Sequence, residues 1–92
     1  MVLDDKAFAI ALGKRIQQLR QSKGLTLDQG VENALLSVSR SSLSAIENGN
    51  QDISARDLYA LSTALGFGLS ELLDEVNDDL LRARHSSINL DR

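Results

Sequence analysis

The sequence predicts one all-α domain of five helices, the last of them extended past the body. Three observations predict it. The 92 residues contain no proline, and strong helix formers dominate, so nothing stiff interrupts a helix. The core candidates are Leu, Ile, Val and Ala, with Phe8, Tyr59 and Phe67 the only aromatics. Apolar residues recur at spacings of three and four, between breaks that carry capping residues and glycine. The length suits a single small domain.

The first helix covers DDKAFAIALGKRIQQLRQSKG. Asp4 or Asp5 caps it, and Phe8, Leu12, Ile16 and Leu19 form its apolar stripe. Gly24 is the stop, suited to a left-handed position, and Leu25 folds back onto the last turn. The second helix is TLDQGVENALL, where Thr26 and Gln29 have capping-box spacing. Gly30 inside it costs about 1 kcal/mol relative to Ala, which points to close approach of another backbone or to a shorter helix.

Ser37 and Val38 make a turn, and Ser39 caps the third helix, RSSLSAIEN. Val38 and Leu43 have the spacing of a hydrophobic staple. Asn48 and Gly49 end that helix. Ser54 caps the fourth helix, with Leu58, Leu61, Ala64 and Leu65 as its stripe and Gly66 as its stop. The fifth helix is LSELLDEVNDDLLRARH, with Leu69, Leu72, Leu73, Val76, Leu80 and Leu81 along one side. Residues 1–75 form the domain proper. Residues 76–92 are a helix extension ending in the short tail SSINLDR, a segment for dimerisation or partner binding.

Charge and composition exclude several classes. The net charge is −3, with the excess of acids in the C-terminal third. No apolar run approaches the roughly 20 residues of a membrane span, and the N-terminus is acidic where a secretion signal is basic. The expected location is the cytoplasm. Without cysteine there is no thiolate chemistry, and a lone His85 near a helix end reads as a surface residue. No metal, cofactor or catalytic constellation can be assembled, so an enzyme is not expected.

The stretch VSRSSLSAIENG asks for a different explanation. It places Arg40, Ser41, Ser42 and Ser44 at the start of a helix whose other face carries Leu43 and Ile46. Two short helices joined by a tight turn, the second opening with such side chains, are what a helix-turn-helix needs. The second helix enters the major groove, where arginine pairs bidentately with guanine and serine serves several base edges.

Three runs in order, LGKRIQQLRQSKGLTLDQ, VSRSSLSAIENG and LYALSTALGFGLSELLDE, resemble the Xre/Cro family of helix-turn-helix regulators, the lambda-repressor-like fold. The resemblance spans residues 7 to 75. It implies that Arg40, Ser41, Ser44 and Ala45 face bases. It implies phosphate contacts for Thr26, Gln29, Ser39, Ser42, Asn48, Asn50 and Gln51, and a structural ion pair between Arg20 and Glu47. The chain departs from the family twice: the segment from Thr26 to Glu47 is a pair of residues longer than usual, and Gly30-Val31 replaces a large apolar residue and alanine.

Arg40 is the only base from Thr26 to Gly49, with Lys14, Arg15, Lys23 and Arg56 as flanking charge. So few bases imply reliance on a homodimer, with Val76, Leu80 and Leu81 as its surface. The expected function is a sequence-specific regulator of transcription, a repressor on double-stranded DNA. The alternative is an antitoxin that binds both a partner toxin protein and its own operator, with the acidic C-terminal end as the docking surface.

Overall fold

The computed structural model describes the backbone of residues 4–90 and the side chains of residues 4–84. The helices are α1 (Asp5–Ser22), α2 (Leu27–Ala34), α3 (Arg40–Glu47), α4 (Ala55–Leu65) and α5 (Leu69–Leu90). No strand occurs among the described residues. The side chain of His85 and the last two residues lie outside the description, and the expectations placed on them stay there.

Local chemistry sets the helix starts. Asp4 accepts from the amides of Lys6 and Ala7, at 3.0 and 3.1 Å. Thr26 accepts from Gln29 N–H at 3.1 Å while Gln29 Oε1 accepts from Thr26 N–H at 2.9 Å, completing the capping box. Ser39 caps α3 through Ser42 N–H, and Ser54 caps α4 through Asp57 N–H. Each such cap stabilises by about 1 kcal/mol. Gly24 and Gly66 end α1 and α4 at φ of 69° and 72°.

The core gathers Leu12 and Ile16 of α1, Ala34 of α2, Leu43 and Ile46 of α3, Leu61 and Leu65 of α4, and Leu72 and Val76 of α5. Val76 is therefore a correction to the expected dimer surface. It is 1% exposed within the single chain. The reason is that α5 lies along α1, so that the apolar stripe stays covered a turn further than its spacing suggests. Arg15 of α1 locks this contact through Asp79, with nitrogen–oxygen distances of 2.7 and 2.9 Å, and lies 3.5 Å from Glu75. The hydrogen bonds from Arg15 hold the Asp79 carboxyl below its usual range, against the opposing effect of burial. Arg82 bonds to the same carboxylate from the next turn of α5. Ala64, placed on the α4 stripe by spacing, is exposed. Helix α5 also continues through the first residues of the expected tail, to Leu90.

Gly13 has a consequence that no local pattern signals. A Cβ built there would lie 2.2 Å from Ile46 O and 2.7 Å from Glu47 O. The backbone of α1 therefore touches the last turn of α3 directly, and no other residue fits between them.

Candidate nucleic-acid interface

Helices α2 and α3 meet through residues 35–39. The second helix stops at Ala34, two residues short of the expected Leu36, because Leu35 adopts a left-handed conformation at φ 52°. Leu36 N–H closes the end by donating to Val31 O at 3.1 Å. A non-glycine residue in this region stores about 1–2 kcal/mol, so surrounding contacts must hold it.

Those contacts come from α4. Arg56 Nη1 donates to Leu35 O at 3.0 Å and to Asp57 Oδ1 at 2.8 Å. Asp57, 1% exposed, accepts from Ser37 N–H at 3.1 Å and from the Ser37 hydroxyl at 2.7 Å. Burial would raise the Asp57 carboxyl, but the Ser37 and Arg56 hydrogen bonds outweigh it and hold it below its usual value. The charged form is the one that ties the turn in place.

Helix α3 is anchored from beneath. Leu43 and Ile46 are 0% and 2% exposed. Glu47 points into the core and accepts from Arg20 Nε and Nη2 at 2.7 and 2.9 Å. Arg20 Nη1 also donates to Leu25 O at 2.6 Å, so one guanidinium joins α1, the start of α2 and the end of α3. The Glu47 hydrogen bonds hold the Arg20 group still further above its ordinary value, against the effect of burial. Gly30 makes room for this arrangement. A Cβ there would lie 3.2 Å from Arg20 Cδ and 3.4 Å from Leu43 Cδ2. The close neighbours are side chains rather than another backbone, while the other expectation raised by Gly30, a shorter helix, matches the end of α2 at Ala34.

The opposite face of α3 looks outward. Arg40 and Ser41 are exposed, and Ser42, Ser44 and Ala45 are half-buried. Arg40, Ser41 and Ser44 share one side by helical spacing, centred away from Leu43 and Ile46, with Arg40 at its edge. Thr26, Gln29 and Ser39 sit exposed around the helix starts. The capping box occupies Gln29 Oε1, which leaves the amide nitrogen of that side chain to donate outward.

Asn48, Asn50 and Gln51 are exposed on the loop after α3. Asn50 Oδ1 accepts from Lys6 Nζ at 2.9 Å, and Gly49 O accepts from the same ammonium at 2.7 Å. Lys6 was not among the flanking bases that the sequence offered, because its partners lie more than forty residues away. Of those bases, Arg15 is committed to α5 and Arg56 to the turn, while Lys14 and Lys23 are exposed. Among the described residues, no group of three or more His, Cys, Asp or Glu side chains is placed to hold a metal ion. No helix among them is long and apolar enough to cross a membrane.

A family model described as a helix-turn-helix domain matches residues 13–78, most of the chain. The chain belongs to that helix-turn-helix family. This helix-turn-helix protein is 33% identical over 70 residues to the control protein C.MunI of a Mycoplasma species, a match covering 76% of this chain and 93% of that one. Its fold is similar to that of the clp gene regulator ClgR from Corynebacterium glutamicum, with a TM-score of 0.76 and 29% identity over 89% of this chain and 86% of the other. It is also similar to the restriction-modification controller protein C.AhdI from Aeromonas hydrophila, with a TM-score of 0.64 and 30% identity over 70% of this chain and 94% of that one. It is an Xre-like, DNA-binding regulator with the lambda-repressor-like all-α fold, and its relatives are regulators rather than enzymes.

Proposed function

We propose that the protein is a sequence-specific transcriptional repressor that binds a two-fold operator as a homodimer. In this reading α3 enters the major groove, Arg40, Ser41, Ser44 and Ala45 meet base edges, and Thr26, Gln29, Ser39, Ser42, Asn48, Asn50 and Gln51 meet phosphates. The observation that carries it is the two-sided construction of α3. Its inner face is locked by Leu43, Ile46 and the Arg20–Glu47 pair, which leaves Arg40, Ser41 and Ser44 presented on a fixed surface.

Dimerisation follows from how little charge one chain presents. One base in the helix-turn-helix gives few phosphate contacts, and a dimer doubles both the contacts and the base readout. On α5 the candidates are Leu81, 49% exposed, and half-buried Leu80, with Ile10 of α1, 47% exposed, also open to solvent. A toxin as partner has less support. The relatives are a control protein, a gene regulator and a restriction-modification controller, and the acidic end of α5 is partly spent on Arg15 and Arg82.

The test is selection of duplexes from a random pool by the purified protein, followed by titration of selected and random DNA at two salt concentrations. A preference for the selected site that survives the higher salt is expected. Equal affinity for both would overturn the reading. Arg40→Ala should then lose about 1–3 kcal/mol at one base position per half-site and relax the preference there. A uniform loss across all sequences would assign Arg40 to phosphate alone. Leu81→Asp, at an exposed site, should leave the helical content unchanged and give a monomer in sedimentation. A dimer of unchanged strength would move the interface elsewhere.

A further inference from the structure

We propose that Asp28 is the residue that makes Arg40 selective, by bracing its guanidinium for base reading and opposing its use on phosphate. The proposal rests on α3 being the reading helix. Asp28 lies in the first turn of α2 and Arg40 opens α3, so the pair bridges the two helices of the motif. Arg40 Nε is 3.9 Å from Asp28 Oδ1, and the two side chains are 62% and 68% exposed. Neither is held by the core. They face the solvent that DNA would displace.

The atom that makes the contact decides its consequence. Asp28 approaches Nε, which leaves the terminal nitrogens Nη1 and Nη2 as a free fork. That fork matches the O6 and N7 acceptors of a guanine in the major groove. Arg40 can therefore read a base end-on with the carboxylate still behind it. A swing towards the sugar–phosphate backbone breaks the pair and leaves Asp28 unneutralised beside a phosphate. An exposed pair of this kind is weak, shifting an equilibrium by about fivefold at most. Arg40 is the only base from Thr26 to Gly49, so even that factor falls on a large share of the local attraction for DNA. The same carboxylate also favours the α2 N-terminus through the helix dipole. That role would act on folding and leave base preference untouched.

The test is a double-mutant cycle of Asp28→Asn and Arg40→Ala, read as the ratio of affinities for a duplex selected by the wild-type protein and for random duplex of equal length. Asp28→Asn is expected to tighten random DNA by up to about fivefold and to reduce the ratio by about two- to fivefold. In the Arg40→Ala background the same change should leave the ratio unaltered. Thermal melting of each variant separates any loss of folded protein from these effects. Equal tightening of both duplexes by Asp28→Asn, or a change in ratio that persists without Arg40, would overturn the proposal while leaving α3 as the reading helix. A wild-type protein with no preference would instead overturn the reading of α3, and the brace with it.

Discussion

Arg20→Met is expected to destabilise the domain by about 3–5 kcal/mol, measured by urea unfolding at neutral pH. The size follows from what the substitution leaves behind. Glu47 has a side chain only 2% exposed, and its two oxygens take hydrogen bonds from Arg20 Nε and Nη2. Methionine fills much of the arginine stem but offers no donor, so a carboxylate stays buried without a partner. Leu25 O loses its Arg20 donor at the same time. Replacing both partners, as Arg20→Met with Glu47→Leu, should recover most of the loss, because two apolar groups can occupy the same volume without a charge to desolvate. A loss below about 1 kcal/mol for Arg20→Met alone would show that water reaches Glu47 and that the pair holds nothing together.

Leu43→Ala is expected to cost about 2–5 kcal/mol in the same measurement. Leu43 is fully buried, and it faces Gly30 of α2 across the helix-turn-helix, where no Cβ exists to move into the space vacated. The cavity therefore cannot collapse from that side, which places the effect in the upper part of the range. Small domains are stable by only about 5–15 kcal/mol in all, so this variant should stand near the edge of unfolding. Ser41→Ala, two residues away on the outer face, should leave stability within about 0.5 kcal/mol of wild type. A comparable loss from both would mean that α3 has no distinct inner and outer face, and the proposed reading surface would go with it.

The parts of the fold legible in the sequence are those that short-range chemistry controls. Asp4, Thr26, Ser39 and Ser54 cap helices because a side-chain oxygen reaches an amide two or three residues on. Gly24 and Gly66 end helices because they accept a left-handed backbone. The amphipathic division of α3 is likewise local, so its outward and inward residues could be named from spacing alone.

What escaped was set by distant partners. Val76 belongs to the core because other helices cover α5 that far along, and a stripe of leucines does not say how long its cover is. Leu35 ends α2 in a conformation that leucine avoids, held there by Arg56 from another helix. Lys6 reaches a loop far away in sequence, and Gly13 looks like an ordinary helical glycine until Ile46 O is placed beside it. Nor could the sequence show that the guanidinium of Arg40 has a carboxylate behind it.

The seam at Gly13 also bears on geometry beyond the single chain. Side chains yield by changing rotamer, but a backbone resting on carbonyl oxygens has nothing soft to give. The same helix is gripped on another side by α5 through Arg15 and Asp79. Helix α1 thus works as a rigid strut between α3, the proposed reading helix, and the helix that carries Leu81. Two chains joined along α5 would hold their reading helices like the jaws of a fixed calliper. Such an instrument measures the phase of the double helix as well as its letters. Half-sites displaced by half of the roughly 10.5 base pairs of a turn would present the second groove on the wrong side of the duplex, however perfect their sequence.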